Sequence, residues 1–244
     1  MTYLSIVIPI YNSEQSLEEL YYRLTWVLNG ITDDYEMIMV DDASCDNSFL
    51  QAKAIHDRDS RVKVIRLAHN FGQQNALLCG FRYASGEIVI TIDDDLQHPP
   101  EEIPTLLEKL AQGYDAVLGI PRHKKHAFYR NFGSCLIDIL FRFIVGKPRK
   151  LKLSSFRALK KTLVQQIQNE TTDFVYLTPL ILKYTRKVAN VLVEHAPRKY
   201  GRSNYDLRKL VQLCIKLIRY YSDLAKFFPP KIGHSQYDVR EIHF

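Results

Sequence analysis

Strand-like and helix-like segments alternate through the first half of this 244-residue chain. Each predicted strand is a short segment rich in apolar residues, and a short polar connection leads from it to apolar residues at helical spacing. This alternation predicts an α/β fold in which helices cover both faces of a mostly parallel sheet. Ligands of such sheets bind beyond the carboxyl ends of the strands. The predicted strands are 4–10, 35–40, 62–67, 87–92 and 115–120, and the predicted helices are 13–28, a segment ending near 56, 75–84 and 103–112.

The second half of the chain has a different pattern. Residues 207–228 repeat apolar residues at helical spacing with basic residues between them, which predicts an amphipathic helix. Such a helix suits an anionic membrane surface, but an amphipathic stripe more often packs on its own core or on a second subunit of a homo-oligomer. The polar tail after Pro230 is expected to fray. Other helices are predicted at 130–145, 159–168 and 177–184, and a late strand at 188–195.

Charge is divided unequally between the two halves. Residues 1–120 carry 19 acidic and 8 basic side chains, whereas residues 121–244 carry 8 acidic and 25 basic ones. Either two oppositely charged surfaces attract each other, or an acidic half holds a cation while a basic half holds anions. The acidic first half argues against a nucleic-acid binder, because it would repel a phosphate backbone.

Several classes of protein are disfavoured by what the sequence lacks. The four cysteines lie far apart without a C-x-x-C pair, which argues against a disulfide scaffold and a cysteine zinc site. The first residues have no signal-peptide pattern, and no run of about 18 apolar residues is present to span a bilayer. Neither G-x-G-x-x-G nor G-x-x-x-x-G-K followed by Ser or Thr occurs. A dinucleotide oxidoreductase or a P-loop enzyme is therefore not expected.

Two acidic clusters directly follow predicted strands. Asp41 and Asp42 follow the second strand, and Asp93, Asp94 and Asp95 follow the fourth. Three adjacent carboxylates repel one another, and a bound cation relieves that repulsion. A hard divalent cation takes one or two carboxylates and completes its shell with phosphate oxygens and water. The alternative is a solvated loop or a helix N-cap, since acidic residues favour that position.

These residues give the chain a resemblance to family-2 inverting glycosyltransferases, which have the nucleotide-sugar-binding α/β fold called GT-A. Within that family it is most similar to polyprenyl-phosphate glycosyltransferases, including dolichyl-phosphate-mannose-synthase-like enzymes. The resemblance covers about residues 3–222. Its motifs are IVIPIYNSEQSL (6–17), VDDASCDNS (40–48), NFGQQNALLCGF (70–81), IDDDLQHPPEEI (92–103), YDAVLGIPR (114–122), SSFRAL (154–159) and HAPRKYGRSNYDLRKL (195–210).

The resemblance implies a role for each matching position. A metal, Mg²⁺ or Mn²⁺, would be held by Asp93, Asp95 and Gln97. Catalytic roles fall on Asp93, Asp95, Arg130 and Arg198, the two arginines contacting leaving-group or acceptor phosphates. The residues implied in substrate binding are Pro9, Tyr11, Asn12, Glu14, Asp41, Asp42, Gly72, Gln73, Asn75, Asp94, Arg122, Arg202 and Ser203, with Asp41 on the nucleotide base.

The implied activity is metal-dependent, inverting transfer of a sugar from a UDP- or GDP-sugar to a polyprenyl phosphate. Transfer to a glycan hydroxyl in surface-polysaccharide or O-antigen assembly is the alternative. Many relatives carry an acidic residue near 151–153, where this chain is basic and apolar, and Asp173 is the remaining carboxylate considered as a base. The enzyme is expected to be cytoplasmic and peripheral at the inner membrane face. We divide it into a GT-A domain, 1–206, with a nucleotide-sugar half, 1–122, and an acceptor half, 123–206, followed by a C-terminal helix and tail, 207–244.

Overall fold

A computed structural model of the chain describes residues 2–122, 141–170, 174–197, 199, 207–222 and 237–244. The strands are β1 (Leu4–Ile10), β2 (Tyr35–Asp41), β3 (Val62–Leu67), β4 (Ile88–Thr91), β5 (Ala116–Pro121), β6 (Arg157–Lys160), β7 (Val188–Val193) and β8 (Val239–His243). The α-helices are α1 (Leu17–Asn29), α2 (Ser48–Arg58), α3 (Gln73–Tyr83), α4 (Ile103–Leu110), α5 (Lys161–Gln168), α6 (Leu177–Tyr184) and α7 (Leu207–Tyr221). A 3₁₀ turn, Pro100–Glu102, leads into α4.

The described strands form one sheet in the order β7-β5-β6-β4-β1-β2-β3-β8. Strands β1 to β4 pair in parallel, and so do β5 and β7. Strand β6 runs antiparallel between β4 and β5, and β8 runs antiparallel to β3. The prediction of a mostly parallel sheet is therefore confirmed, and the carboxyl ends of β1 to β5 all meet at one edge.

Helices cover both faces of this sheet, as predicted. Alternate residues of β1 point to opposite faces, so Ile6 and Ile8 join one core while Val7 joins the other. Helices α1, α2 and α4 pack on the first face. Helices α3, α5 and α6 pack on the second face. Because β1 is buried on both sides, its sequence is a continuous apolar run rather than an alternating one.

Two strands were not predicted, and both are antiparallel. The helix predicted at 159–168 begins with β6, and only Lys161–Gln168 is helical. Strand β8 overturns the expectation of a frayed tail, because it pairs along the outer edge of β3. Both strands are short and contain charged residues, so their stability comes from pairing with distant partners and not from local pattern.

Some predicted elements fall partly outside the described residues. Residues 141–145 are helical, but the rest of the helix predicted at 130–145 lies outside the described residues. Helix α7 ends at Tyr221, and 223–236 lie outside the described residues. Within the parts of the chain that are described, no helix combines the length and the apolar character needed to cross a membrane.

Candidate functional site

Four neighbouring loops at the carboxyl edge of the sheet each contain one residue with left-handed backbone geometry. These residues follow β1, β2, β3 and β4, and are Asn12 (φ 54°), Ala43 (φ 56°), Gly72 (φ 86°) and Leu96 (φ 60°). Among the described residues, no other non-glycine residue has a positive φ. Left-handed geometry is uncommon for residues with a Cβ and concentrates at functional sites, where surrounding contacts maintain it. The backbone therefore marks this edge independently of the acidic side chains.

The loop after β1 is fixed to the loop after β2 by side chains. Asn12 accepts a hydrogen bond from the backbone N–H of Cys45 through Oδ1, at 2.9 Å, and its own N–H donates to Ser44 Oγ at 3.0 Å. Glu14 Oε2 accepts from the N–H of Asn47 at 3.0 Å. Asn12 and Glu14, which are predicted to bind the nucleotide, thus also connect the loop after β1 to the loop after β2. Tyr11 remains 45% exposed beside them.

Asp41 lies beneath this loop pair. Its carboxylate is fully buried, accepts from the N–H of Ser44 at 3.3 Å and lies 3.3 Å from Arg66 Nε. Burial raises the pKa of Asp41, although Ser44 and Arg66 act in the opposite direction. Pro9 is also buried, in β1 next to Val40. The structure therefore places both predicted nucleotide-binding residues under the surface of the edge.

Asp42 fixes the loop after β3. Its two carboxylate oxygens accept from the N–H groups of Phe71 at 2.7 Å and Gly72 at 2.8 Å. Burial raises the pKa of Asp42, and these two hydrogen bonds oppose that shift. The contacts hold Gly72 at its positive φ immediately before α3 begins with Gln73. Asn75, in the first turn of α3, donates to Phe71 O at 2.7 Å.

Asp93 is held from two sides. Gln73 Nε2 donates to Asp93 Oδ1 at 2.6 Å, and Ser155 Oγ donates to Asp93 Oδ2 at 2.5 Å. Ser155 directly precedes Phe156 and β6, and its carbonyl accepts from Thr91 Oγ1 at 2.6 Å. Ser155 was not predicted as a site residue, because its contact with Asp93 depends on the antiparallel insertion of β6 beside β4. The only sequence signal was its position in the SSFRAL motif.

Asp94 and Asp95 have other hydrogen-bond partners than Asp93. Asp94 Oδ2 accepts from the N–H of Tyr11 at 3.1 Å and from the hydroxyl of Ser13, which joins the loop after β4 to the loop after β1. Burial, with repulsion from Asp93 and Asp95, raises the pKa of Asp94 to about 6. Asp95 Oδ1 accepts from the N–H of Gln97 at 3.1 Å.

This oxygen-rich loop fits a divalent metal ion. Within the described ranges, no three His, Cys, Asp or Glu side chains converge as ligands of one metal. Two carboxylates and an amide oxygen are nevertheless the donor set that Mg²⁺ or Mn²⁺ takes when phosphate and water complete the shell. Burial is the largest cause of the raised pKa of Asp94, and repulsion from Asp93 and Asp95 adds to it. Asp93, Asp95 and Gln97 are the residues that would hold the ion.

His98 follows this loop and is buried. Its ring stacks on Phe156 with centroids 5.3 Å apart, and its edge meets the ring of His195 at 5.0 Å. Burial, followed by the neighbouring His195, lowers the pKa of His98 to about 4. His98 is therefore neutral at pH 7 and joins the loop after β7 to the acidic loop, together with a hydrogen bond from Ala196 N to Gln97 O at 2.9 Å.

The basic residues predicted at phosphates are only partly described. Arg122 lies at the end of β5, half-exposed, with Nε 3.3 Å from Glu194 Oε1. The same edge of the sheet therefore brings Arg122 together with the loops after β1, β2, β3 and β4. Predicted residues that lie outside the described residues are Arg130, Asp173, Arg198, Arg202 and Ser203.

Comparison with known protein families decides the classification. The family described as glycosyl transferase family 2 matches residues 5–171, more than half of the chain. The chain belongs to glycosyl transferase family 2. The matched segment contains all four left-handed loop positions and the three adjacent aspartates.

Curated relatives within this family share a named activity. Undecaprenyl-phosphate 4-deoxy-4-formamido-L-arabinose transferase from Yersinia pestis (strain Pestoides F) is 36% identical over 215 residues, covering 88% of this chain. The enzyme of the same name from Yersinia enterocolitica serotype O:8 / biotype 1B (strain NCTC 13174 / 8081) is 35% identical over 215 residues, also 88% of this chain. In each case the match spans 66% of the relative's own length.

Solved structures confirm the fold. Glucosyl-3-phosphoglycerate synthase from Mycobacterium tuberculosis, in complex with Mn²⁺, UDP and phosphoglyceric acid, superposes with a TM-score of 0.68 at 20% identity over 98% of this chain and 86% of that chain. Its complex with Mn²⁺, UDP-glucose and phosphoglyceric acid gives a TM-score of 0.68 at 21% identity over 96% and 82% of the two chains. The predicted GT-A fold is therefore confirmed.

Proposed function

We propose that this protein is a metal-dependent inverting glycosyltransferase that moves a sugar from a nucleotide diphosphate to a polyprenyl phosphate. The observation that carries the proposal is the placement of Asp93 and Asp95 at the carboxyl end of β4, between the loop after β1 and the start of β6. The curated relatives, which are named as undecaprenyl-phosphate sugar transferases, support the acceptor class. Similar solved structures that hold Mn²⁺ with UDP support the cofactor and favour a UDP-sugar as the donor.

In this proposal the chain's own residues supply binding and orientation. Asp93, Asp95 and Gln97 hold a divalent ion, which when bound would stabilise negative charge on the leaving diphosphate. Asp94 positions the backbone of Tyr11 and the hydroxyl of Ser13, so the nucleotide side of the site is tied to the metal loop. The Tyr11 ring, 45% exposed, is available to stack on a base. Attack on the sugar from the side opposite the diphosphate inverts the anomeric centre.

The segment leading to β6 favours a phosphate acceptor over a hydroxyl. Residues 147–157 read KPRKLKLSSFR and contain five basic residues and no carboxylate. A sugar hydroxyl must lose a proton as it attacks, which requires a base within about 3 Å. A lipid phosphate is already ionised, so it needs cations to bind it rather than a base. We place the enzyme at the inner face of the cytoplasmic membrane because its acceptor would reside there.

Binding and turnover test the proposal separately. We expect calorimetric titration with UDP or GDP to show binding that depends on Mn²⁺ and is lost in EDTA. Asp95→Asn should weaken that binding by at least about tenfold, because a charged ligand of the ion is replaced by a neutral one. Asp33→Asn is the matched control, since Asp33 is exposed in the loop before β2, at the opposite edge of the sheet, and it should bind as the wild type does.

Turnover identifies the acceptor. With a UDP-sugar panel and Mn²⁺, we expect release of UDP to require undecaprenyl phosphate and not a free oligosaccharide. Release that occurs only with the oligosaccharide would contradict the lipid acceptor. Metal-independent nucleotide binding, unchanged in Asp95→Asn, would contradict the metal site.

A further inference from the structure

Arg157 enters the site on β6. In the strand register it pairs with Thr91 of β4 on one side and Leu118 of β5 on the other. Thr91 lies two residues before Asp93, so Arg157 reaches the same edge of the sheet as the acidic loop. Ser155, two residues earlier, already contacts Asp93. The antiparallel direction of β6 thus brings a cation from the basic half of the chain next to the carboxylates of the acidic half.

The guanidinium of Arg157 is buried and incompletely satisfied. The residue is only 4% exposed, and in the part of the chain that the structure describes its Nε and Nη1 have no hydrogen-bond partner. Burial lowers the pKa of Arg157, while Tyr176 and Asp93 act in the opposite direction. Buried charges that lack hydrogen bonds are costly, and proteins normally pair them. Arg61 shows the ordinary arrangement, with Nε and Nη2 both donating to Asp59.

Asp93, the carboxylate that attracts Arg157, accepts no hydrogen bond from its Nε or Nη1. Both oxygens of Asp93 accept hydrogen bonds from neutral side chains, Gln73 and Ser155. Asp93 attracts Arg157 electrostatically, but the two N–H groups on Nε and Nη1 remain unbonded. An anion is the partner that such donors lack, and an arginine guanidinium binds phosphoryl oxygens readily. Each orphaned donor can therefore donate to an oxygen of a bound phosphoryl group.

Aromatic side chains extend from Arg157 toward α7. Tyr176, whose pKa burial raises and Arg157 lowers, has its ring 5.6 Å from Phe141 and 6.4 Å from Phe174. Phe174 lies 5.6 Å from Tyr220 of α7. This row of aromatic side chains lies between the buried cation and the amphipathic helix α7. A phosphate attached to a long hydrocarbon chain matches such a row better than a nucleotide does.

We propose that Arg157 binds a phosphoryl group of the substrates through an orphaned guanidinium donor, with the phosphate of the lipid acceptor as the source that the aromatic row favours. The assignment rests on the proposed function, because that function brings phosphates to this edge. The diphosphate of the donor is the other source with the same chemistry. Arg157 would then neutralise a phosphate beside Asp93 and present it to the sugar.

Arg157→Met separates a binding role from a structural one. Methionine retains an unbranched apolar stem but removes the charge and all donors. Removal of a guanidinium that stabilises the fold would make the protein less stable, whereas removal of a buried charge without hydrogen-bond partners also removes the cost of burying it. We therefore expect the melting temperature of ligand-free Arg157→Met to equal or exceed that of the wild type, while Arg61→Met, the control that loses a bonded guanidinium, melts lower with unchanged ligand binding.

Two probes identify the source of the phosphate. Farnesyl phosphate, a short soluble lipid phosphate, and UDP with Mn²⁺ are titrated separately into the wild type, Arg157→Met and Arg157→Lys. Loss of at least about tenfold in affinity for either probe in Arg157→Met supports the proposal, and the probe affected identifies the source. Arg157→Lys keeps the charge but removes the guanidinium donors, so it should also lose affinity for the same probe. This variant replaces Arg157→Met in the test if Arg157→Met does not fold.

The outcomes distinguish failure of this inference from failure of the proposed function on which it rests. Unchanged affinity for both probes in the Arg157 variants, with a wild type that binds them, would overturn the role of Arg157 alone. Failure of the wild type to bind either probe would overturn both the proposed function and this inference. A lower melting temperature of Arg157→Met together with full retention of binding would assign Arg157 a purely structural role.

Discussion

Gly80→Ala should destabilise the protein although it improves the helix propensity of α3. Gly80 lies in the part of α3 that packs on β1 and β2, and a Cβ built there would lie 2.3 Å from Val7 Cγ1 and 3.2 Å from Val40 Cγ2. Both valines are fully buried. A β-branched side chain in a packed core has no alternative rotamer to adopt at low cost. Relief therefore requires α3 to move away from the sheet by about 1 Å.

The magnitude follows from two opposing effects. Replacing glycine by alanine within a helix stabilises by about 1 kcal/mol. Overpacking a well-filled core costs about 1 to 3 kcal/mol, and a contact this short belongs at the upper end of that range. We therefore expect Gly80→Ala to lower the free energy of unfolding by about 2 kcal/mol. Urea denaturation followed by circular dichroism measures this loss as a lower midpoint at unchanged slope.

A second substitution tests the steric cause. Val7→Ala removes the methyl group that the new Cβ meets, so the double variant Val7→Ala/Gly80→Ala should be more stable than the sum of the two single losses predicts. The expected coupling is at least about 1 kcal/mol, because the two positions are in direct contact. A Gly80→Ala protein as stable as the wild type, or a coupling energy near zero, would refute the argument from close packing.

Two further predictions concern charged contacts. The pKa of Glu36 is lowered, because hydrogen bonds from Lys63, Ser5 and Ser85 outweigh the effect of burial. The stability that Glu36 contributes is therefore present above its unfolded pKa, and it is lost as the pH falls through its folded pKa. Glu36→Gln should lower the free energy of unfolding by about 3 kcal/mol at pH 7 and by less at pH 3, as measured by urea denaturation at both pH values. An equal loss at the two pH values would contradict this prediction. Gln73→Ala removes the 2.6 Å hydrogen bond to Asp93. The affinity for Mn²⁺, measured by calorimetry, should then fall about 10- to 100-fold, while the free energy of unfolding changes by less than about 0.5 kcal/mol. Unchanged affinity for Mn²⁺ would contradict this prediction.

The parts of the fold that the sequence predicted share one physical property. Strands β1 to β5 run in the same direction and are largely buried, so each is rich in apolar residues and recognisable without knowledge of its partners. Strands β6 and β8 are antiparallel and contain Arg157, Lys160, Arg240 and Glu241. Nothing in their local pattern outweighs these charges, and the pairing energy that selects the strand conformation comes from β4, β5 and β3.

The candidate site likewise contains features that the sequence predicts and contacts that it does not. The acidic residues were predictable because they follow recognisable strands, and parallel strands bring their carboxyl ends together. Contacts that cross between loops were not predictable. The hydrogen bonds of Asn12 to Cys45 and of Glu14 to Asn47 depend on left-handed backbone at Asn12 and Ala43, for which neither residue type gives a firm sequence signal.

The opposite charges of the two halves are better explained by ligands than by attraction between surfaces. Ion pairs do cross between the halves, such as Lys161 with Glu87 at 3.1 Å and Lys199 with Glu19 at 2.6 Å. These pairs are partly exposed, and such pairs contribute about 0 to 1 kcal/mol each. If mutual attraction explained the division, a buried cation of the basic half such as Arg157 should be hydrogen-bonded to a carboxylate. Among the described residues Arg157 instead keeps two unbonded donors beside Asp93, as expected of a cation whose partner is an anionic ligand.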